Sequence, residues 1–292
     1  MSLIKQWIIA ARPKTLPFGA APVFVGSALS LHAGHFSWET FLICLATATL
    51  MQIGANYAND FFDHKSGVDT PQRVGPTRVV PAGIITSRQM FIGMLLAFFA
   101  AFVIASPIIF NIGWPLALIY AALVVIAISY SGGPFPLAYL GLGELANLIF
   151  MAGIPTVVMY YVQTKSIIAM PFFLGLSFGG LTSAVMCMNN LRDELTDRKT
   201  GKGTLVARYG QKFGKGLFAF LVIYPMILPI ILVTNYGMPF GIVGVSALIL
   251  PAIPILKATF RARQPLEFAN IFPKTAVLAL FYMLTFSYGL IL

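Results

Sequence analysis

Long apolar segments, separated by short polar ones, make up most of this chain. Each apolar segment is close to the roughly 20 residues that a helix needs to cross a bilayer. The pattern predicts an all-α membrane protein in which residues 1–292 form a single domain. Nine transmembrane helices are predicted over residues 16–32, 40–58, 89–107, 112–130, 142–162, 168–190, 216–234, 238–256 and 272–291.

Residues 1–12 show a different, mixed pattern. Their apolar positions alternate with Lys5 and Arg12, and Trp7 lies among them. Helices of this kind lie in the plane of the membrane interface, with Trp at the depth of the lipid headgroups. We therefore predict a short interfacial helix before the first span.

Composition and charge support a membrane protein. The chain is 58% hydrophobic and 10% charged, whereas soluble domains carry about 25% charged residues. If the N-terminus is cytoplasmic, the nine spans place every one of the 19 Lys and Arg residues except Lys165 on the cytoplasmic side. Such a bias sets membrane topology, so the net charge of +10 predicts no nucleic-acid partner. A bilayer is the predicted surroundings.

The acidic residues are concentrated in two short windows, each at the cytoplasmic end of a predicted span. Carboxylates close to a membrane are costly unless they are neutralised, so their clustering indicates a bound cation. The windows contain most of the nine acidic residues of the chain, namely Asp60, Asp63 and Asp69 in the first and Asp193, Glu194 and Asp197 in the second.

Helical spacing places amide and carboxylate oxygens of each window on common faces. Such oxygens suit Mg²⁺, which binds one or two carboxylates and completes its shell with water and substrate phosphate. No His or Cys lies at the spacing of a zinc site. The i,i+4 sets are Asn56 with Asp60, Asn59 with Asp63, and Asn189 with Asp193 and Asp197.

Basic residues follow both windows and indicate a diphosphate ligand, because metal and basic side chains together neutralise its oxygens. Arg78, Arg192 and Lys202 are the predicted contacts, with Lys65 nearby. Arg12 is explained equally well as a substrate contact or as a topology signal. A plainer alternative is that the acidic and basic side chains simply pair with one another in water.

At these residues the sequence resembles the UbiA superfamily of intramembrane aromatic prenyltransferases. The first motif of that family, NDxxD, matches residues 59–63, and the second, DxxxD, matches residues 193–197. Similarity over residues 11–29, 59–70, 73–85 and 189–210 favours the branch that uses 1,4-dihydroxy-2-naphthoate. The expected location is a bacterial cytoplasmic (inner) membrane, with the N-terminus and the active site facing the cytoplasm.

The resemblance implies a nine-helix bundle with a cytoplasmic-side cavity and a Mg²⁺-dependent transferase. The implied reaction moves a polyprenyl group from polyprenyl diphosphate to 1,4-dihydroxy-2-naphthoate, releases diphosphate and CO₂, and gives demethylmenaquinone for menaquinone biosynthesis. Two Mg²⁺ ions are expected. Their implied ligands are Asn59, Asp63, Asp193 and Asp197, with Asp60 as a further catalytic carboxylate. The implied substrate-binding residues are Arg12, Tyr57, Asn59, Lys65, Asp69, Arg78, Asn189, Arg192 and Lys202.

Two tyrosines, Tyr57 and Tyr130, are candidates for stabilising an allylic cation through their ring faces, with Tyr130 as the catalytic one. Packing or anchoring at the interface is the alternative for each. The segment from Tyr130 to Glu144 lacks the Lys and Arg of the benzoate-accepting branch, which leaves the carboxylate of the acceptor without a predicted partner. Asp69 lies farther from Asp63 than the family spacing expects.

Two other functions remain as alternatives. A related enzyme could use another aromatic acceptor, such as hydroxybenzoate or homogentisate. A transporter would instead need ionisable residues in the middle of its spans, and the predicted third, fourth, seventh and eighth spans contain none. The charge lies at one face, which favours an enzyme with a lipid substrate.

Overall fold

The fold, seen in a computed structural model that describes residues 3–68, 74–75 and 78–292, is a bundle of helices joined by short connections. No strand occurs in these residues. The helices are α1 (Leu3–Ala11), α2 (Leu16–His32), α3 (Trp38–Lys65), α4 (Ser87–Ile112), α5 (Trp114–Ser129), α6 (Gly143–Thr164), α7 (Met170–Thr200), α8 (Leu205–Tyr236), α9 (Phe240–Arg261) and α10 (Pro265–Ile291).

Within the described residues, the prediction of nine helices after the N-terminal one is confirmed, because α2 to α10 each match one predicted span. Seven of them (α3, α4 and α6 to α10) are long and apolar enough to cross a membrane. The other two are shorter, with 17 residues in α2 and 16 in α5, or about 25 Å of helix. The predicted helix at the N-terminus is present as α1.

Several helices are longer than their apolar segments. Helices α3, α7 and α8 contain 28, 31 and 32 residues, or about 42–48 Å, against about 30 Å for the hydrocarbon core of a bilayer. Hydropathy marks only the apolar part of such a helix. Because the extra turns of α3 and α7 carry the acidic residues of the two windows up to Asp63 and Asp197, the i,i+4 spacing within each window holds. Helix α8 is broken at Gly210, whose φ of 80° favours glycine.

Helix α7 lies at the centre of the bundle, and small residues let its neighbours approach closely. A side chain at Gly175 would meet the backbone of Ala152 in α6, and one at Gly180 would meet Pro225 in α8. Phe178 and Leu181 of α7 are fully buried between these contacts. The second acidic window is therefore carried by the most enclosed helix of the fold.

Helix α6 has π-helical geometry over Asn147–Gly153. Pro155 follows directly and has no N–H for a regular helical bond, which favours such a local widening. The side-chain amide of Asn147 donates to Thr182 Oγ1 at 2.7 Å and to Ser183 Oγ at 2.9 Å, both on α7. These bonds tie α6 to α7 directly below the second acidic window.

The crossing of α9 and α10 gives a test of this packing. Gly241 and Gly289 meet backbone to backbone, and a Cβ on Gly289 would collide with the carbonyl of Gly241. We expect Gly289→Ala to cost about 1–3 kcal/mol, as overpacking does, and to lower the midpoint of thermal unfolding followed by circular dichroism in detergent. Gly216→Ala in α8, where a Cβ meets open space, is the matched control. Equal losses in both variants would contradict this contact.

Candidate active site

The two acidic windows face one polar cavity at one end of the bundle. Helices α3 and α7 both line it, together with residues of the α1–α2 turn, the α5–α6 connection and the α7–α8 connection. Its polar lining among the described residues includes Arg12, Thr15, Gln52, Asn56, Asn59, Asp63, Arg78, Tyr130, Asn147, Thr182, Asn189, Asn190, Asp193, Thr196, Asp197 and Lys202.

The two i,i+4 stripes of α3 have different partners. Asn59 donates to Ser131 Oγ at 2.8 Å and lies beside Asp63 at the cavity. Asn56 donates instead to the carbonyl of Ala11 at 2.8 Å. Asp60, 2% exposed, is not among the described lining residues and accepts from both Arg12 and Arg78. The structure thus places Asp60 behind the cavity, as the partner of two arginines.

Asp63 joins three segments of the chain. Arg78 Nη2 lies 3.3 Å from Asp63 Oδ2 and 3.1 Å from Asn59 Oδ1. Lys202 Nζ lies 3.2 Å from Asp63 Oδ2, and the Tyr139 hydroxyl donates to Oδ1 at 3.0 Å. Lys202 also lies 5.2 Å from the centre of the Tyr139 ring. Tyr139 is a site residue that no motif reveals, since only its position in a glycine-rich connection sets it apart.

The carboxylates of α7 are held in a similar way. Arg192 donates through Nε and Nη2 to the two oxygens of Asp193, both at 2.7 Å. Thr204 Oγ1 lies 3.4 Å from Asp197 Oδ2. Glu194 pairs with Arg198 at 2.9 Å and is not among the described lining residues, as expected from the helical stripe. Arg192 itself lies behind Asp193.

The predicted alternative of ion pairs in water is partly right, because these acids and bases do pair with one another. The pairs, however, are buried: Asp63 is 1% exposed and Asp197 4%. Removing charges from water costs several kcal/mol per ion, and apolar side chains often stabilise a fold as well or better. Buried ion pairs around a cavity are therefore poor devices for stability and favour a role in binding.

Glu144 is a further buried carboxylate near the cavity, and the sequence predicts no role for it. Glu144, at the start of α6, accepts a hydrogen bond from Asn190 Nδ2 at 2.8 Å. Asn190 lines the polar cavity, so this bond fixes its amide. In the sequence, Glu144 stands alone among glycines and leucines and gives no signal of this contact.

The donor set fits a hard divalent ion that arrives with phosphate. Among the described residues, no group of three or more His, Cys, Asp or Glu side chains is close enough to hold a metal without other ligands. Asn59 and Asp63 of α3 and Asp193 and Asp197 of α7 line the same cavity. One or two protein oxygens from each helix is the number that Mg²⁺ takes when phosphate and water complete its shell.

The remaining predicted residues lie in different surroundings. Tyr130 lines the cavity, and its hydroxyl lies 3.0 Å from Met186 Sδ. Tyr57 packs edge-on against Trp7, away from the cavity lining. Lys65 is exposed at the end of α3, and Asp69 lies outside the described residues.

An apolar cavity adjoins the polar one. It lies among α2 to α6, and nearly all of its lining is aliphatic or aromatic. Gln52, Ala55, Ala127 and Met151 line both cavities. The site as a whole thus has a charged part beside an apolar part, within a bundle of membrane-spanning helices. This combination defines an intramembrane protein that binds an amphiphile.

The family is established by comparison with known proteins. The profile of the UbiA prenyltransferase family matches residues 20–288, and the chain belongs to that family. A 1,4-dihydroxy-2-naphthoate octaprenyltransferase of Haemophilus influenzae is 33% identical over an alignment of 304 positions, gaps included, which covers 99% of this chain and 96% of the relative.

Solved structures show the same fold. A UbiA homolog from Aeropyrum pernix K1 superposes with a TM-score of 0.72 at 17% identity, covering 96% of this chain and 98% of its own. A UbiA homolog from Archaeoglobus fulgidus bound to GPP and Mg²⁺ gives a TM-score of 0.63 at 16% identity, covering 97% and 99%. The predicted UbiA-like bundle is confirmed.

Proposed function

We propose that this protein transfers a polyprenyl group from polyprenyl diphosphate to 1,4-dihydroxy-2-naphthoate, in menaquinone biosynthesis. The observation that carries the proposal is the ionic cavity beside an apolar one, since a prenyl diphosphate has a charged head and an apolar tail. The naphthoate acceptor is supported by the named relative, which matches almost the whole chain. A prenyltransferase for another aromatic acceptor is the second candidate.

In this proposal the diphosphate lies between the walls formed by α3 and α7. Asn59, Asp63, Asp193 and Asp197 would hold two Mg²⁺ ions, whose charge would favour departure of the diphosphate. Asn189 is the amide of the same α7 stripe. Arg78 and Lys202 flank Asp63. In the proposed complex they bind diphosphate oxygens, whose negative charge takes the place of part of their pairing with Asp63. Arg192 orients Asp193 from behind.

The bonds change as follows. The allylic C–O bond breaks, and its electron pair leaves with the diphosphate. A ring carbon of the naphthoate forms a C–C bond to the allylic carbon, and the carboxyl group is lost as CO₂, which leaves demethylmenaquinone in its reduced form. Tyr130, which lines the cavity, offers its ring face to the positive charge. The enclosed walls keep water away from that charge.

The membrane arrangement is also proposed. Helix α1 exposes Ile4 and Ile8, while Trp7 packs onto Tyr57 of α3, as expected of a helix lying at the interface. The basic residues near this end of the bundle support a cytoplasmic location for it. We propose a single-domain protein of a bacterial inner membrane, with its N-terminus and active site on the cytoplasmic side.

The reaction is tested with purified protein, a polyprenyl diphosphate and Mg²⁺. We expect prenylated product and CO₂ from 1,4-dihydroxy-2-naphthoate, and none with EDTA in place of Mg²⁺. Hydroxybenzoate and homogentisate are the comparison acceptors, analysed by chromatography and mass spectrometry. Product from one of these alone would overturn the naphthoate assignment, and turnover in EDTA would overturn the metal.

Variants of two neighbouring carboxylates on α7 test whether Asp193 takes part in binding the metal. We expect Asp193→Asn to reduce kcat by at least about 100-fold, in the range of lost electrostatic stabilisation of a transition state. Glu194→Gln, also buried but paired with Arg198, should stay within about threefold of the parent, since Glu194 is not among the described residues that line the cavity. The kcat values of both variants and of the parent are measured by steady-state kinetics at saturating Mg²⁺. Similar losses in both variants would argue against a special role for Asp193.

The apolar cavity is tested with prenyl chains of different length. Ala48 lines that cavity, and Ala48→Phe fills part of it. We expect KM to rise for long polyprenyl diphosphates and to change little for geranyl diphosphate, whose tail is short. Ala122→Phe, at an exposed position of α5, is the control. An equal rise in KM for both chain lengths would contradict the assignment of this cavity to the prenyl tail.

A further inference from the structure

Arg12 is a positively charged side chain lining the polar cavity to which the proposed diphosphate contacts assign no role. Among the described residues that line it, the positively charged side chains are Arg12, Arg78 and Lys202. Arg78 and Lys202 both contact Asp63 and so belong to the diphosphate end. Arg12 enters from the α1–α2 turn, on the side of the cavity lined by Thr15 and Gln52.

The backbone of Arg12 is held in an unfavourable conformation. Its φ of 52° and ψ of 67° lie in the left-handed region, which a residue with a long side chain rarely adopts. Several bonds hold it there. Asn56 Nδ2 binds the Ala11 carbonyl at 2.8 Å, and Thr15 Oγ1 donates to the Arg12 carbonyl at 3.0 Å. Strained residues that the surrounding structure fixes in this way cluster at functional sites.

The side chain of Arg12 is fixed as well. Arg12 Nη2 lies 2.5 Å from Asp60 Oδ1, and Arg78 binds the same oxygen. One carboxylate oxygen thus accepts hydrogen bonds from two guanidinium groups. The side chain of Arg12 is 29% exposed, against 11% for Arg78, so part of its guanidinium remains accessible from the cavity.

We propose that Arg12 binds the carboxylate of the aromatic acceptor, and that Asp60 is a positioning residue for both arginines. This inference rests on the proposed function. It assigns one arginine to each substrate: Arg78 to the diphosphate and Arg12 to the naphthoate carboxylate. Thr15, Gln52 and Asn56 line the same side and supply hydrogen-bonding groups for the ring hydroxyls.

A topology signal alone does not explain this arrangement. The positive-inside bias requires only basic charge near the cytoplasmic end of a span, and the exposed Lys5 and Lys14 already provide it. Neither a strained turn nor a buried carboxylate partner is needed for that purpose. A fixed guanidinium, in contrast, suits a planar carboxylate, which it can bind through two parallel hydrogen bonds.

The test compares binding of 1-hydroxy-2-naphthoate and 1-naphthol, which differ by the carboxylate, to purified protein without prenyl diphosphate. We expect the parent to prefer the carboxylate, as measured by isothermal titration calorimetry in detergent. Arg12→Ala should lose about tenfold or more of that preference, the size of a hydrogen bond between charged groups, and Arg12→Lys should recover part of it. Lys14→Ala, which removes the same charge two residues away, should keep the preference.

Binding of geranyl diphosphate with Mg²⁺ to the same variants provides the second readout. We expect Arg12→Ala to change it by less than about twofold, since Arg78 and Lys202, which contact Asp63, remain in place. Equal weakening of both ligands would overturn the proposal in favour of a structural role. A preference that survives in Arg12→Ala would overturn it while leaving the proposed reaction intact. No preference in the parent would overturn it together with the naphthoate acceptor.

Discussion

Buried carboxylates need positive partners, and this requirement determines how the polar end of the bundle is built. Asp60, Asp63 and Asp193 lie largely out of water, and each is bound by Arg or Lys. The helices that carry the acids supply only one of these bases, Arg192. The others come from the α1–α2 turn, from the segment before α4 and from the α7–α8 connection. These ion pairs therefore hold three connecting segments at one end of the bundle, beside the polar cavity.

The parts of this architecture that depend on local spacing could be predicted from the sequence. Hydropathy located all nine helices, because a span needs a continuous apolar segment whatever its neighbours are. Helical periodicity paired Asn59 with Asp63 and Asn189 with Asp193, because i,i+4 geometry is a property of one helix. Periodicity does not tell which of two adjacent stripes faces the next helix. For that reason Asp60 could be placed near the site, but its position behind two arginines could not.

Other features depend on the path of the chain between helices and gave no local signal. Tyr139 reaches Asp63 only because the α5–α6 connection folds across the end of α3. Glu144 meets Asn190 because the widened turns of α6 are tied to α7 through Asn147. The polar extensions of α3 and α7 are equally invisible to hydropathy, since nothing apolar marks them. Each of these features is set by contacts between segments far apart in sequence.

The adjoining polar and apolar cavities also affect how concentration must be counted. An amphiphile that enters an apolar cavity among membrane-spanning helices comes from the surrounding lipid, where its abundance is a mole fraction of the bilayer. Additional inert lipid or detergent dilutes it in two dimensions, even when its amount per litre is unchanged. The water-soluble aromatic partner is not diluted in this way. The two substrates of one site therefore obey different concentration scales, and the rate depends on the ratio of lipid to protein.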